Sequence, residues 1–412
     1  MLRLLSATSK MGFGNNSVKS ILAVGIICLS FNTSCAEAAS AQSYTDRAIA
    51  SINALNGNWY NSGTGVWDDA WWNSGNALTT LADFSLIRLA EANKLNIGGY
   101  LRNTFVHAQR ANVRTIKTRT GDGMVTSTYC LNYNKGCMAK RDFRARRGFQ
   151  DFINEFYDDE GWWALGLIRS YDVSHDRDYL NAAVRIFEDM QTGRGTPCGG
   201  GIYWNKERKY VSAISNELYL SVAASLARRL PQNKTMERIA IDQWNWFERS
   251  GMINSHHLVN DGLDQRCKNN GLQTWSYNQG VVLGGLAELF RLTGDRRYID
   301  KAVSIARAAI KALSDGRGIL IETDKCELRP GNCGRDGQQF KGIFVRNLGY
   351  LNGVAPHPEF KSFILRNADS IWNNDRDGQN RLGVAWTGPY MAATGPTQSS
   401  ALDVLVAAIA VA

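Results

Sequence analysis

A run of three acids followed closely by two tryptophans stands at residues 158–163, which read DDEGWW. The next residues, 164–168, read ALGLI and predict the buried part of a helix. Acids are among the residues least often buried without a partner. Paired carboxyls can cleave a glycosidic bond, and tryptophan faces can stack on sugar rings. A structural interpretation competes with this one, because acids also favour the positive end of a helix dipole.

The adjacency of Asp158 and Asp159 favours one kind of glycosidic cleavage. Retaining glycosidases hold their carboxyls about 5–5.5 Å apart and inverting ones about 6.5–9.5 Å apart. Neighbouring alpha carbons are about 3.8 Å apart, so adjacent aspartates reach the shorter separation more readily. Two nearby anions also raise the pKa of one of them, which lets that group stay protonated as an acid.

Helical periodicity dominates the chain, and strand signals are few. Six segments begin with polar residues and then become apolar nearly all round. They are residues 73–82, 158–171, 212–230, 276–286, 339–345 and 398–412. Helices that are apolar all round are buried, so these six are predicted to form an inner layer.

Six amphipathic segments alternate with the buried ones. They are residues 44–55, 97–112, 178–191, 234–249, 297–313 and 358–373. Residues 175–180 (HDRDYL) resemble 294–299 (GDRRYI), which indicates an internal repeat of helix pairs. A closed ring and an open solenoid both fit. The ring is favoured because a solenoid usually shares its core between both helices of a pair. The predicted fold is all-α, an (α/α)6 barrel of six inner and six outer helices, with the polar inner-helix N-termini at one mouth.

The N-terminus resembles a secretion signal. Arg3, Lys10 and Lys19 precede an apolar run at 21–31, and residues 36–38 read AEA, a small-residue cleavage site. We therefore predict a signal peptide over 1–39, a single catalytic domain over 40–412, and a secreted or extracellular protein. The apolar run is too short to span a bilayer comfortably. An uncleaved anchor is the alternative, but we expect no stable membrane insertion after cleavage.

The cysteines agree with export. Two of the eight lie in the predicted signal, which leaves six, an even number. The predicted pairs are 130–137, 326–333 and, by elimination, 198–267, one of fifteen possible connectivities. No CxxC motif occurs, so neither a metal site nor a cofactor is predicted.

The formal charge of +9 is compatible with an anionic partner such as nucleic acid or an acidic wall polymer. No zinc-knuckle, RNP or Walker pattern is present, which argues against nucleic acid. We expect a monomer.

Several motifs together resemble glycoside hydrolase family 76, whose known members include endo-α-1,6-mannanases. The matching segments are 158–163 (DDEGWW), 199–204 (GGGIYW), 213–216 (AISN), 277–280 (YNQG), 341–346 (KGIFVR) and 398–401 (QSSA). They run in family order over nearly the whole of the predicted mature chain. The resemblance implies an (α/α)6 barrel and a retaining mechanism.

The same resemblance assigns roles to the acid pair. Asp158 is expected to be the nucleophile that forms a glycosyl-enzyme, and Asp159 the general acid/base. Asp159 first protonates the leaving oxygen and then activates water. Glu160 is interpreted as a helix-start acid rather than a third catalyst.

Further residues are candidates for contact with sugar. The candidates for ring stacking are Trp72, Trp162 and Trp163. The candidates for hydrogen bonds to hydroxyls are Asn216, Tyr277, Asn278, Gln279 and Lys341. Structural roles compete for these residues, because asparagines cap helices and Trp163 fits a core position.

The predicted function is that of a secreted retaining hydrolase that cleaves α-1,6-mannosidic bonds in α-mannan polysaccharide or oligosaccharide. One alternative is a transglycosylase that acts on wall or anchor glycans; the chain end, interrupted by Asp403, does not resemble an anchor signal. The other is a non-catalytic glycan-binding helical-repeat protein, which would be expected to lack the acid pair.

Overall fold

The computed structural model describes residues 41–111, 113–119, 125–131, 149–329 and 333–412. Within these ranges the chain forms thirteen α-helices, numbered here along the chain. The outer layer consists of α1 (41–59), α4 (Ile97–Ala108), α6 (Arg177–Gln191), α8 (Lys234–Arg249), α10 (Arg296–Ala312) and α12 (Pro358–Asn374). The inner layer consists of α2 (Trp71–Ile87), α5 (Tyr157–Ser174), α7 (Ala213–Arg229), α9 (Ser276–Thr293), α11 (Gly334–Val354) and α13 (Gly395–Val411). A short helix, α3 (Leu89–Lys94), precedes α4.

The inner helices form a closed ring. Each packs against the next along the chain, from α2 through α5, α7, α9 and α11 to α13, and α13 packs back against α2. That last contact distinguishes a barrel from an open solenoid. The prediction of an (α/α)6 barrel with six inner and six outer helices is therefore confirmed.

Burial explains the two layers. In α7 every residue from Ala213 to Ala227 is buried, and in α13 every residue from Gly395 to Ile409. The outer helices bury one face only. In α6 the buried side chains recur at helical spacing, at Tyr179, Leu180, Ala182, Ala183, Ile186, Phe187 and Met190. Close approach within the ring also needs a small residue, since a Cβ at Gly342 of α11 would overlap the Ser400 backbone of α13.

Six short strands pair into three two-stranded antiparallel sheets within the described residues. They are β1 (Tyr60–Asn61), β2 (Val66–Trp67), β3 (Val113–Arg119), β4 (Val125–Leu131), β5 (Val211–Ser212) and β6 (Gly262–Leu263). The longest pair is the β3–β4 hairpin, in which Lys117 is opposite Ser127 and Thr115 is opposite Tyr129. The sequence analysis did not predict this hairpin, because its inward side carries polar residues and lacks the apolar alternation that marks a half-buried strand.

Two of the predicted disulfides are present, Cys198–Cys267 and Cys326–Cys333. The predicted 130–137 pair involves Cys137, which lies outside the described residues, as does the predicted signal peptide at 1–39. Among the helices of the described ranges, none is long and apolar enough to cross a membrane.

Candidate active site

A cavity of about 170 Å³ opens where the N-terminal ends of the inner helices meet. Five of those helices, or the residues immediately before them, contribute to its wall, together with the hairpin and two loops. The lining residues are Trp72, Lys117, Val125, Asp158, Trp162, Trp204, Tyr210, Ser212, Ile214, Asp261, Tyr277, Asp336 and Phe340. The polar N-termini of the inner helices were predicted to meet at one mouth of the barrel. They form there a pocket that contains carboxyls and aromatic rings.

Asp158 lines this cavity from the first turn of α5. Its Oδ2 atom accepts hydrogen bonds from Trp204 Nε1 at 3.0 Å and Lys117 Nζ at 3.3 Å. Its Oδ1 atom accepts none from the part of the chain that the structure describes. One carboxylate oxygen is thus fixed by two donors, and the other is buried without a hydrogen bond from the described residues.

Asp159 lies deeper, with only 1% of its surface exposed. Lys117 Nζ donates to its Oδ1 at 2.7 Å, while Tyr129 OH and Asn154 Nδ2 donate to its Oδ2 at 3.1 and 2.7 Å. Burial raises the pKa of Asp159 to about 7, although the Lys117 ammonium opposes the rise. A carboxyl with that pKa exchanges its proton near neutral pH, as a general acid/base must.

The two aspartates are close enough for a retaining mechanism. Asp158 Oδ2 and Asp159 Oδ1 both contact Lys117 Nζ, and the two distances of 3.3 and 2.7 Å add to 6.0 Å, so these oxygens are at most that far apart. Inverting enzymes separate their carboxyls by about 6.5–9.5 Å to admit a water. The nearest oxygens here are closer than that range.

Lys117 reaches this pair from β3, and its side chain is only 6% exposed. Its Nζ also lies 4.4 Å from the Phe156 ring centre and 5.4 Å from that of Trp204. Burial alone would lower the pKa of Lys117, but the carboxylates of Asp158 and Asp159 more than reverse this and raise it. The side chain is therefore an ammonium ion at neutral pH. Sequence reasoning missed Lys117 because nothing local connects it to residues 41 positions away.

Asp336 is a further carboxyl on the cavity wall that sequence reasoning missed. It stands in the first turn of α11 and accepts hydrogen bonds from Trp72 Nε1 at 3.0 Å and Ser127 Oγ at 2.8 Å. Burial raises its pKa. A signal was available, since an acid at the head of an inner helix is the same feature that drew attention to Asp158.

Glu160, the third acid of the run, faces away from the cavity. It is fully buried, and its Oε1 accepts from Lys206 Nζ at 2.6 Å and from the Asn154 backbone N–H at 3.1 Å. These bonds tie α5 to the loops on either side of it, which gives Glu160 a structural role.

Four aromatic rings form a row along one wall of the cavity. Trp72 stacks on Trp162 with centroids 5.6 Å apart, Trp162 faces Tyr277 at 6.5 Å, and Tyr277 stacks on Phe340 at 3.8 Å. Three predicted contact residues, Trp72, Trp162 and Tyr277, thus lie together as expected. Flat faces beside carboxyls suit a ligand with both apolar and hydroxyl-bearing surfaces.

Trp163 does not reach the cavity. It is fully buried, and its ring packs 5.6 Å from that of Trp71 and 4.9 Å from that of Phe152. One residue further along a helix rotates the side chain by about 100°, which turns Trp163 into the core while Trp162 faces the pocket. Its predicted role in stacking is corrected to one in packing.

Asn216 and Gln279 form hydrogen bonds to loops and do not line the cavity. Asn216 accepts from the Ile202 backbone N–H at 2.8 Å and donates to its carbonyl at 2.9 Å. Gln279 does the same for Val259, with both bonds at 2.8 Å. Each amide satisfies both backbone groups of one residue in the loop before its own helix. Their predicted contacts with sugar are replaced by these bonds.

Lys341 and Asn278 also lie away from the cavity lining. Lys341 Nζ forms an ion pair with Glu327 at 2.9 Å and donates to the Val384 carbonyl at 2.8 Å, and its side chain is buried. The amide group of Asn278 is buried and forms no hydrogen bond within the described residues. The ion pair and the burial of Lys341 replace its predicted contact with sugar, while the predicted contact of Asn278 stays a prediction.

One group of residues, among those the structure describes, brings three metal-ligand types close together: Cys326, Glu327 and Cys333. The two sulfur atoms are joined in a disulfide, and Glu327 is paired with Lys341. This cluster therefore does not offer a metal site.

Comparison with known proteins places the chain in a family. The model of glycosyl hydrolase family 76 matches residues 37–411. Mannan endo-1,6-alpha-mannosidase DCW1 of Candida albicans is 25% identical over 253 residues, which cover 56% of this chain and 55% of that protein. Its namesake in Saccharomyces cerevisiae is 26% identical over 274 residues, 60% of this chain and 59% of that protein. The matched region thus spans less than two thirds of these relatives.

Solved structures show the same fold. The GH76A alpha-1,6-mannanase of Salegentibacter sp. HEL1_6 superposes with a TM-score of 0.70 at 21% identity, covering 90% of this chain and 100% of that one. An inactive variant of that enzyme, with two consecutive aspartates replaced by alanine, is in complex with alpha-1,6-mannotetrose (TM-score 0.68, 19% identity, 90% and 99% covered). Dfg5 of Chaetomium thermophilum, in complex with glucosamine, gives a TM-score of 0.68 at 18% identity and 90% coverage of both chains. With the family model matching nearly the whole described chain, this protein belongs to glycosyl hydrolase family 76.

Proposed function

We propose that this protein is a secreted, retaining glycoside hydrolase that cleaves α-1,6-mannosidic bonds in mannan. The observation that carries the proposal is the pair Asp158 and Asp159 at the cavity, with their nearest oxygens at most 6.0 Å apart and only one of the two carboxyls exposed to the pocket. That separation suits a covalent intermediate better than direct attack by water.

The surroundings of the two carboxyls divide the roles between them. The Asp158 carboxylate attacks the anomeric carbon and forms the new C–O bond. The glycosidic C–O bond breaks as Asp159 gives its proton to the leaving oxygen. In the second step water attacks the same carbon, the bond to Asp158 breaks, and Asp159 takes the proton from water. Asp158 lines the cavity from the first turn of α5, and the raised pKa of Asp159 lets it carry the proton.

Mannan as the substrate is supported by the relatives and by the aromatic wall. The two yeast relatives are named as mannan endo-1,6-alpha-mannosidases. The mannanase variant that binds alpha-1,6-mannotetrose is described as inactive, and it lacks two consecutive aspartates. The row of rings from Trp72 to Phe340 offers flat surfaces on which successive sugar rings can stack.

Secretion is proposed from the sequence. Residues 1–39 have the basic, apolar and small-residue regions of a signal peptide. The disulfides Cys198–Cys267 and Cys326–Cys333 fit an oxidising compartment.

The test is a product profile on a panel of α-linked mannans. Linear α-1,6-mannan should yield oligomannosides, whereas α-1,2- and α-1,3-linked mannans should remain intact. Proton NMR of the first-formed anomer should show the α form, and a β product would contradict retention. Products longer than an α-1,6-mannotetraose substrate would instead indicate transglycosylation. Binding without any product would indicate a glycan-binding protein.

A further inference from the structure

The β3–β4 hairpin is an addition to the ring of helices that enters the catalytic pocket. It lies between α4 and α5 along the chain, and four of its inward side chains contact acids or their partners. Lys117 contacts Asp158 and Asp159, Tyr129 contacts Asp159, Ser127 contacts Asp336, and Thr115 contacts Asn154. The hairpin is therefore built into the hydrogen-bonding network of the acid pair.

Lys117 is the cation in direct contact with this pair among the described residues. Three carboxyls influence its charge: Asp158 and Asp159 on α5, and Asp336 on α11. The other titratable groups nearby are Tyr210, Asp261 and Tyr277 on the cavity wall, and Tyr129, Glu155 and Lys206 behind the acid pair. Tyr129 of β4 donates to Asp159, Glu155 accepts from the Thr115 backbone, and Lys206 is paired with Glu160. Negative charge thus exceeds positive charge around Lys117, and no second cation duplicates its contacts within the described chain.

The two steps of a retaining reaction require opposite protonation of Asp159. The first step uses the protonated form as an acid, and the second uses the ionised form as a base. Burial biases the Asp159 carboxyl towards the protonated form, which serves only the first step, and this bias persists after Asp158 has become an uncharged ester. An ammonium ion 2.7 Å from Asp159 Oδ1 counters that bias.

We propose that Lys117 is a positioning residue that balances the two steps: its ammonium group holds Asp158 for attack and supports the ionised form of Asp159 that activates water. This inference rests on the proposed retaining function and adds a residue of the hairpin to it. Asp158 keeps a second donor in Trp204 at 3.0 Å, so its position depends less on Lys117 than the charge of Asp159 does.

Removal of the charge should therefore slow the second step more than the first. In Lys117→Met the glycosyl-enzyme, in which the sugar is joined to Asp158 through an ester bond, should still form. Its hydrolysis should be slow, because less Asp159 is ionised and able to act as the base. We expect kcat to fall by about 10- to 100-fold, at most the lower end of the roughly 10²- to 10⁴-fold that general base catalysis contributes, because Asp159 itself remains. The constant kcat/KM should fall less, because it reports only the steps through formation of the intermediate, and KM should fall with kcat.

The experiment compares three variants of the full chain on an aryl α-1,6-mannobioside with a poor leaving group, whose departure still requires the proton of Asp159. Lys117→Met removes the charge, Lys117→Arg keeps it, and Thr118→Met places the same methionine on the exposed side of the same strand as a matched control. For Lys117→Met the alkaline limb of kcat/KM should move to higher pH by about one to three pH units, the effect of losing a nearby opposite charge. Intact-mass measurements of quenched enzyme should show the glycosyl adduct accumulating. Lys117→Arg and Thr118→Met should keep the wild-type limb.

Different outcomes separate failure of this inference from failure of the proposed function. A wild-type protein without activity on α-1,6-mannan or the mannobioside defeats the proposed function. An active wild type with an unchanged pH limb and no adduct in Lys117→Met overturns the role of Lys117. If Lys117→Met does not fold, Lys117→Gln is the neutral variant to compare with Lys117→Arg. A shifted alkaline limb in Lys117→Arg would also contradict a role that depends on charge.

Discussion

At the scale of single residues, Asp158 and Asp159 are neighbours in sequence with different environments. Asp158 lines the cavity and has one oxygen without a hydrogen bond from the described residues, while Asp159 is almost fully buried and accepts three hydrogen bonds. Consecutive side chains on a helix diverge by about 100°. Adjacency therefore places the two carboxyls a short distance apart and in two different environments. The difference in environment suits one carboxyl to act as a nucleophile and the other as an acid.

Asparagine variants of the two aspartates should fail in different ways. On mannan, Asp159→Asn should lower kcat/KM by about 10²- to 10⁴-fold, the usual contribution of general acid catalysis. An aryl mannoside with a good leaving group needs no proton, so the first step of Asp159→Asn should be restored and should appear as a burst of phenolate. Asp158→Asn should show no burst on either substrate. A burst in Asp158→Asn would contradict its assignment as nucleophile.

The pH profile should reflect the buried acid. Burial raises the pKa of Asp159 to about 7, and the first step requires its protonated form, so kcat/KM should decline as the pH rises through about 7. Asp159→Asn cannot titrate at this position, so its residual activity on mannan should lack that limb. An alkaline limb near pH 7 that persists in Asp159→Asn would assign the proton to another group.

At the scale of elements, amide side chains near the starts of the inner helices hold the preceding loops. Asn216, Gln279 and Gln398 accept from the backbone N–H of Ile202, Val259 and Leu382 at 2.8, 2.8 and 2.7 Å. Each of these loop residues forms an isolated β-bridge just before an inner helix. The repetition explains why amides recur at helix heads, where sequence reasoning interpreted two of them as sugar ligands.

Gln279→Met should weaken the fold without changing substrate affinity. The substitution keeps the length of the side chain but leaves the buried backbone N–H and C=O of Val259 without partners. Each unsatisfied group costs about 1–3 kcal/mol, so the free energy of unfolding should fall by about 2–6 kcal/mol in urea titrations. KM on mannan should stay within about twofold of the wild type, because Gln279 does not line the cavity.

Gln379→Met provides the matched control, since Gln379 is exposed in a loop. Surface substitutions of this kind usually change stability by less than about 0.5 kcal/mol. A rise in KM for Gln279→Met with unchanged stability would restore the original interpretation of Gln279 as a binding residue.

At the scale of the whole molecule, a buried charged cluster joins α11, α13 and α2. Arg346 donates to both oxygens of Asp403 at 3.0 and 2.9 Å, and its other nitrogen donates to Asn76. Thr80 also donates to Asp403. These contacts connect the last inner helix of the chain to the first, where the ring closes. Burial raises the pKa of Asp403 to about 6, against the opposing charge of Arg346.

Arg346→Met should destabilise the barrel in a pH-dependent way. Removing one partner of a buried ion pair costs about 3–5 kcal/mol. Arg346 opposes the burial that raises the pKa of Asp403 from 3.8 to about 6, so its removal should raise this folded-state pKa further. A raised carboxyl pKa contributes stability at low pH that is lost as the pH rises through the folded-state value, so the variant should keep losing stability above about pH 6 after the wild type has levelled off. The loss should therefore be larger at pH 8 than at pH 5, measured by urea unfolding at both.

A double variant tests whether the unpaired charge causes the loss. Arg346→Met combined with Asp403→Leu removes both charges, and replacing a buried pair with apolar groups is often close to neutral. The double variant should recover most of the stability and lose the difference between pH 5 and pH 8. A double variant no more stable than Arg346→Met would show that packing, rather than charge, accounts for the effect.

Much of the fold was predictable from the sequence, but only part of the site was. The alternation of buried and amphipathic segments predicts both layers, because burial periodicity is a local property of each helix. The acid pair was also predictable, since Asp158 and Asp159 are adjacent. The roles of Trp163, Asn216, Gln279 and Lys341 were not, because a buried polar or aromatic side chain near a helix start has the same local appearance whether it contacts a ligand, a loop or the core.

The sequence by itself determined the helix pairs, the adjacent carboxyls that set a short separation, and the family that the motifs resemble. The tertiary structure decided that the ring closes between α13 and α2, that Asp336 meets Ser127 across 209 positions of the chain, and that Lys117 reaches the acid pair. Helical hydrogen bonds and burial patterns act over a few residues and can be recognised in a single segment. Contacts between distant segments depend on how the whole ring packs, and no local pattern records them.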